Sequence, residues 1–557
     1  MKYGETRFGA SFFPKGAPFF PSGEKTLYFL ILASVFIFIL WPIAAVLFKS
    51  IFIQGQVDFS EYITLFRNKK YLLGNSILVS SLATFLSVVL GTCVALYLTH
   101  CRGKGKKLIF GVLLLSIISP PFVSSLVYIM LFGRRGLITC KILGLHLNPY
   151  GWHGIVLMQT AGFTAIAALL ILGILHRVDR NLEFSAHDLG ASTLTILRSV
   201  TLPLALPGIL VAGVVVFIRS LSDFGTPIII GGKFTVLATQ AYLNVVGLYN
   251  MPRAAAMCML LLLPALVAFV IYRRILGRFD YVGTGAQLET GRKRIRLSRS
   301  IEIFLALVTW GYITFEILKY GTIFAGAFTR TWGFDFTPTL VHLKTLSGTK
   351  LESFFRSLRY AFMAGAIGAV LGVIIAYLLE RKKIAGGKAL DFISDLPYII
   401  PGSFFGIGYI LAFHHPPLMI TGTAFIVVVN CIYRQLPISI KSGTAVLKQC
   451  DPNFEAAARD LGAGEKNVIK DIVTPLMRPA VLIAFINTFT MTMITIGAII
   501  FLVSPETKVA TVDMFGEIKR GRIGAASVLA NLIIVTVLAV NLLFSWLYVR
   551  KGKKDRD

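Results

Sequence analysis

Apolar residues in this chain come in long, nearly unbroken runs that recur from one end to the other. Twelve can be marked, at 27–49, 73–99, 108–132, 152–175, 205–222, 254–276, 301–319, 357–380, 390–413, 418–436, 479–503 and 523–549. Each approaches the roughly 20 residues with which an α-helix crosses a hydrocarbon core about 30 Å thick. In lipid a backbone must bond within its own segment, so the spans are predicted to be helices and the fold all-α, a polytopic membrane protein of about twelve transmembrane helices. The first run is too long for the core of a signal peptide and no small-residue cleavage site follows it, so it counts as a span.

Charge sharpens this picture. The chain has 557 residues, a formal net charge of +28, 55% hydrophobic and 15% charged residues. So basic a chain could suit nucleic acid, but its basic residues flank the apolar runs. Arg102, Lys104, Lys106 and Lys107; Arg273, Arg274 and Arg278; Arg292, Lys293, Arg294 and Arg296; Arg381, Lys382 and Lys383; and Arg550, Lys551, Lys553 and Lys554 fall on one side of the spans. With an even span count, that bias places both termini in the cytoplasm and sets nucleic acid aside in favour of the lipid bilayer. Lys69, Lys70, Arg134 and Arg135 fall on the other side. The six cysteines show no metal or redox spacing.

The polar stretch from Asp280 to Ser300 divides the chain into a first half, 1–279, a basic cytoplasmic linker, 280–300, and a second half, 301–557. Ser76, Gly91, Ala95 and Pro120 reappear as Ser357, Gly372, Ala376 and Pro401, 281 residues on. The clearest repeat lies between spans. Asn181-Leu182-Glu183-Phe184-Ser185-Ala186-His187-Asp188-Leu189-Gly190-Ala191, followed by Leu202-Pro203 and Pro207, returns 272 residues later as Asn453-Phe454-Glu455-Ala456-Ala457-Ala458-Arg459-Asp460-Leu461-Gly462-Ala463, followed by Thr474-Pro475 and Pro479. Two halves with the same even span count have the same orientation, so the repeat is parallel and a translocation path is expected between the halves. The repeated segments, near 181–207 and 453–479, read as polar helices. Ala186, Leu189, Ile196 and Leu197 form an apolar stripe in the first, while Glu183, His187 and Asp188 stay polar. Glu183 and Glu455 lie near a helix start, where the dipole favours a carboxylate that can cap its own helix or meet a partner's Arg or Lys.

On these residues the chain resembles the integral-membrane permeases of binding-protein-dependent ABC importers. Glu455-Ala456-Ala457, Gly462 and Pro475 match that family's loop, the glycine falling one position late. Glu183-Phe184-Ser185, Gly190 and Pro203 match without the two alanines. The resemblance implies the type I ABC importer permease fold. In the family this loop is a coupling helix seated in a groove of the ATP-hydrolysing subunit, which assigns coupling to Glu183, Ala186, Asp188, Gly190, Pro203, Glu455, Ala456, Ala457, Asp460, Gly462 and Pro475. It further implies a homodimeric ATP-binding subunit that carries ATP and Mg, a soluble substrate-binding protein, and the cell inner membrane. The fused two-half arrangement, with Asp223-Phe224-Gly225, looks like the ferric-iron uptake group. Relatives that carry organophosphonates, sugar phosphates, thiamine or polyamines are the alternatives.

Arg219, Ser222, Asp223, Asn487, Thr488, Thr492 and Thr495 are the polar span residues that could line a path. Arg219 and Asp223 are four apart and could instead pair with each other, and the threonines could instead bond between helices. His414 and His415 are adjacent, so their side chains diverge, and no metal site or catalytic constellation is assigned. An ion-coupled secondary transporter, the rival class, needs buried carboxylates, for which Asp223 is the candidate. No Gly-x-x-x-x-Gly-Lys-Ser/Thr loop is present to cradle nucleotide phosphates. The chain is therefore read as no enzyme, and the purified chain alone is expected to show no saturable ATP binding in a calorimetric titration.

Overall fold

The computed structural model describes residues 22–145, 148–279, 295, 297–344, 346, 348–382, 384, 386–416 and 418–554. The expected linker at 280–300, including Arg292, Lys293, Arg294 and Arg296, falls mostly outside them. Among the described residues, eleven helices are long and apolar enough to cross a membrane. They are Thr26–Ile51, Lys70–His100, Pro121–Ile142, Trp152–Leu175, Thr193–Leu221, Met251–Tyr272, Arg299–Ala327, Thr349–Glu380, Ala424–Gln449, Glu465–Ile494 and Ile523–Leu547. A bent pair, Gly387–Ile399 with Gly402–Phe413, would make twelve if it is one span. Among the described residues strand is confined to two short hairpins, Phe52–Ile53 with Gln56–Val57 and Thr329–Thr331 with Asp335–Pro338.

Two expected spans are broken, at the same place in the repeat. The run at 108–132 is a helix Lys106–Ile118 followed by a second, Pro121–Phe132. The run at 390–413 is the bent pair, turned through 112°. Pro120 and Pro401 sit at the breaks with ψ of 141° and 142°. Proline disfavours helical backbone in the residue before it and has no N–H to donate, so an apolar run that reads as one span becomes two helices. The run at 479–503 differs for another reason: its helix ends at Ile494, and Ala498 and Ile499 are buried at a separate 3-10 turn, Ile499–Phe501, rather than in the span.

The repeat is visible bond by bond. Ser76 Oγ accepts from Leu237 N at 2.9 Å, and Ser357 Oγ accepts from Ala510 N at 2.8 Å. Each serine thereby satisfies the first donor of a short helix, Leu237–Val246 or Ala510–Lys519, that does not span. Between the repeated polar segments and these helices the offset has grown from 272 to 273.

Contacts divide the chain into two compact units. One holds the chain up to Pro42, Met363–Tyr398 and Val429–Phe489; the other holds Ile43–Phe362, Ile399–Val428 and the chain from Thr490 onward. In the larger unit, Lys70–His100 packs on Trp152–Leu175 and Leu202–Leu221 around Val94, Ala95, Leu113, Ala168, Ile171 and Ala212. Gly91 allows that approach: a Cβ there would lie 2.8 Å from both Ala167 Cβ and Ala168 N. In the smaller unit the equivalent Gly372 does the same, since its Cβ would come within 2.3 Å of Ser439 Cβ.

Gly91→Ala and Gly372→Ala should each destabilise the protein by about 1–3 kcal/mol, because backbone as well as side chain must shift. Gly74→Ala, with nothing within 4 Å of the added atom, should be neutral or stabilising. Melting of the detergent-purified variants checks the contrast.

Candidate functional site

The two repeated segments fold alike. The first helix is Arg180–Asp188, capped by Asp179, whose side chain accepts from Asn181 N. The second is Asn453–Asp460, where Asp451 Oδ1 accepts from Asn453 N at 2.9 Å. Gly190 and Gly462 both have φ of +84°, the left-handed conformation that glycine adopts without penalty. Around them Ala191 N donates to Ala186 O and Ala463 N to Ala458 O, closing the helix ends. Each chain then re-enters a span through a widened π segment, Leu197–Thr201 or Val468–Val473, directly before Leu202-Pro203 or Thr474-Pro475. The widening suits prolines that cannot donate into an α-helical ladder.

The glutamates do not face a partner. Glu183 is 1% exposed, and its Oε1 accepts from Thr201 Oγ1 at 2.9 Å and lies 3.1 Å from His100 Nε2. Glu455 is 6% exposed; its Oε1 lies 2.9 Å from Arg381 Nε, and its Oε2 accepts from Tyr377 OH at 3.3 Å. His100 and Arg381 are 281 residues apart, so each glutamate meets the same position of the repeat, at the end of Lys70–His100 or of Thr349–Glu380. This corrects the expectation that the glutamates stay polar on the surface for a partner's Arg or Lys. The apolar stripe is corrected too: Leu189 is exposed while Glu183 is buried, because a paired carboxylate can be buried and a loop leucine has no core here to enter.

Each segment presents two large apolar side chains to solvent among its polar ones. Leu182 is 48% and Leu189 88% exposed; their equivalents Phe454 and Leu461 are 62% and 89% exposed. Seven residues apart, each pair falls on one helical face. Ala456, Ala457, Asp188 and Asp460 are exposed beside them, and Ala186 is half-buried. Leu182 and Leu189 recur at the 272-residue offset as Phe454 and Leu461, a signal that was open to a reader of the repeat.

The candidate path residues are mostly spent on packing. Arg219 and Asp223 do not pair. Asp223 Oδ2 accepts from Gln159 Nε2 at 3.0 Å, and its Oδ1 accepts from Gly225 N and Thr226 N at 2.9 and 3.1 Å. Ser222 Oγ donates to Ile218 O at 2.6 Å. Asn487 Nδ2 donates to Gln435 Oε1 at 3.4 Å, Thr488 Oγ1 is 3.5 Å from Ser439 Oγ, and Thr495 O accepts from Thr511 Oγ1. Thr492 keeps a buried hydroxyl without a partner. Sequence reading passed over Glu316 and Lys319, both fully buried and 2.6 Å apart in Arg299–Ala327. Their i,i+3 spacing in a span was the available signal. Among the described residues no cluster of three or more His, Cys, Asp or Glu side chains is placed to hold a metal ion.

Two copies of one fold unit, each with a capped helix on its surface between spans, are the form of a two-half transport permease. The family described as binding-protein-dependent transport system inner membrane component matches residues 87–281 and 368–554, and the chain belongs to it. It is 31% identical to the ferric transport system permease protein FbpB of Actinobacillus pleuropneumoniae, over 93% of this chain and 77% of the relative. A Haemophilus influenzae protein named as a candidate ferric transport permease is 32% identical over 86% of this chain and 78% of its own length. The molybdenum transport system permease protein ModB of Escherichia coli, also 32% identical, matches 35% of this chain and 88% of itself.

Removing either partner of a buried ion pair leaves an unpaired charge at a cost of about 3–5 kcal/mol. Arg381→Ala and Glu455→Lys should therefore lower melting temperature and membrane abundance, and the exchange Glu455→Arg with Arg381→Glu should recover part of the loss. Unchanged abundance of Glu455→Lys would show that the carboxylate is not held inside the chain.

Proposed function

We propose that this permease is the membrane subunit of an ATP-driven importer for ferric iron. The observation that carries the coupling part is the duplicated surface helix, whose two copies share an exposed apolar pair, a closing glycine and a buried glutamate. In this reading a homodimer of ATP-binding subunits, holding ATP and Mg, receives Leu182 and Leu189 in one groove and Phe454 and Leu461 in the other. Ala186, Asp188, Gly190, Ala456, Ala457, Asp460 and Gly462 set the helix shape and its close approach, and Pro203 and Pro475 pass motion into the following spans.

The glutamates then act as tie-bars. When the ATPase subunits close, each surface helix moves, and Glu183 carries that motion to His100 while Glu455 carries it to Arg381 and Tyr377. Each link ends on a long span, so a displacement at the surface becomes a displacement in the membrane. The path opens alternately to a soluble substrate-binding protein outside and to the cytoplasm, where both termini lie, and the inner membrane is the site of action. The halves 1–279 and 301–557, joined by 280–300, are the moving parts. Arg219, Ser222, Asp223, Asn487, Thr488, Thr492 and Thr495 border the path, chiefly by shaping the helices around it.

Ferric iron is favoured as cargo because the relatives matched over most of this chain carry that name. Ion-coupled transport has less support: Asp223 is committed to N–H donors and Glu316 to Lys319.

Burying an unpaired charge at the centre of a docking contact costs about 2 kcal/mol or more, a loss of roughly thirtyfold in affinity. Leu461→Asp should abolish co-purification of the ATPase subunit and uptake of radioactive ferric iron at normal membrane abundance. Leu189→Asp should do so less completely, since the second copy has the alanines that allow close approach. Normal uptake by Leu461→Asp would overturn the docking assignment.

A further inference from the structure

The spans Leu202–Leu221 and Thr474–Ile494 both begin beside the surface helices and run about 30 Å away from them. The loops that follow, 222–250 and 495–522, therefore lie at the far side of the membrane. There, in the larger unit, they meet in a cluster of rings. Phe122, just past the Pro120 break, stacks on Phe515 at 4.8 Å and meets Phe224 edge-on at 6.3 Å. Phe224 stacks on Tyr242 at 5.3 Å, and Tyr242 meets Phe501 at 5.7 Å and Phe515 at 6.4 Å. Phe122, Phe224, Tyr242 and Phe515 are all at most 5% exposed.

Two of these rings fix where the cluster sits. Tyr242 and Phe515 are 273 residues apart, the same offset as Leu237 and Ala510, so they are equivalent positions of the two halves. Equivalent residues touch each other only on the axis that relates their halves. In a parallel two-half permease the path between the halves follows that axis, and here it is filled by aromatic side chains.

One lysine, Lys519, stands exposed beside these rings. Lys519 Nζ lies 4.7 Å from the centre of the Phe515 ring and 5.3 Å from that of Tyr242. Its repeat equivalent is Val246, so the charge has no symmetric counterpart. Among the described residues no carboxylate pairs with it. Glu517 is held by Lys350 at 3.4 Å, Arg520 at 3.2 Å and Arg522 at 3.9 Å, Asp513 pairs with Lys508, and the exposed Glu506 makes no ion pair. Arg219, at the end of its span before the first of these loops, likewise has no ion pair among the described residues. Packing of its exposed side chain along the rings removes part of its water and lowers the Lys519 ammonium from its usual value, with no carboxylate beside it to offset this.

We infer that the ring cluster is the closed outer gate of the path and that Lys519 is its charge filter, so that cargo crosses as an anion. For an iron importer this means a ferric ion still carrying oxyanion ligands rather than a bare trivalent cation, which an unpaired ammonium would repel. Anion-selective pores use Lys and Arg in this way, and the faces of Tyr242 and Phe515 hold the ammonium in place. The inference rests on the importer reading above.

Two measurements separate them. Cells with the complete importer receive radioactive ferric iron with radiolabelled phosphate, or radiolabelled molybdate alone. Joint entry of iron and phosphate identifies a ferric–oxyanion complex, and entry of molybdate identifies a free oxyanion. Iron entering without phosphate overturns the anion inference, and entry of nothing overturns the importer reading. The second measurement needs no cargo. Purified Phe122→Ala/Phe515→Ala protein in liposomes under a potassium chloride gradient should leak, with a reversal potential on the chloride side. Adding Lys519→Glu should reduce chloride preference by about tenfold or reverse it, whereas Lys519→Arg should preserve it. If the alanine pair is not recovered from membranes, Phe122→Leu/Phe515→Leu takes its place. No leak from protein at normal abundance overturns the gate, and a reversal potential indifferent to Lys519→Glu overturns the filter.

Discussion

A carboxylate buried between a surface helix and the end of a span is the constraint on which this architecture turns. A short polar helix between two membrane helices has no core of its own and would move independently of the spans it connects. Glu183 and Glu455 remove that independence. Each is desolvated, each meets a cation or a donor on the same repeat position, and losing a partner would strand the charge. The result is a stiff connection where the chain would otherwise have a hinge. With the glutamate buried, Leu189 or Leu461 is left toward solvent beside the helix's exposed polar residues.

The two connections are not chemically identical. The first uses His100 and Thr201, the second Arg381 with Tyr377 and a more distant Arg459, 3.6 Å from Glu455 Oε2. The guanidinium of Arg381 also donates to the carbonyls of Leu447 and Cys450, so it fastens three segments at once. Arg is always charged and carries a planar fork of donors, whereas His presents one ring nitrogen here. The second half's link thus rests on a guanidinium, in the same copy that keeps the alanines.

At the other side of the membrane the repeat is used differently. Equivalent serines cap equivalent short helices, and those helices bring equivalent rings onto the axis. There equivalent rings pack on one another, with one lysine, Lys519, that has no counterpart in the first half. The surface helices and the ring cluster are thus two ends of the same duplicated unit, with the spans Leu202–Leu221 and Thr474–Ile494 running from one toward the other.

Apolar run length and the repeated Glu, Gly and Pro positions determined the class of fold, the number of spans to within one, and the location of the surface helices. Those features are local: lipid demands about 20 apolar residues in a row, and glycine and proline act on their own backbone. Pairing was not legible in that way. Arg219 and Asp223 look like partners at a spacing of four, yet Asp223 turns to Gln159 and to backbone N–H groups. Glu183 looks solvent-facing from the polarity of its segment, yet it finds His100, 83 residues away. The proline breaks at 120 and 401 were hidden inside runs whose composition is uniformly apolar. Which carboxylate meets which cation, and which rings meet on an axis, depends on distances between segments far apart in the chain, and only the packed tertiary structure decides them.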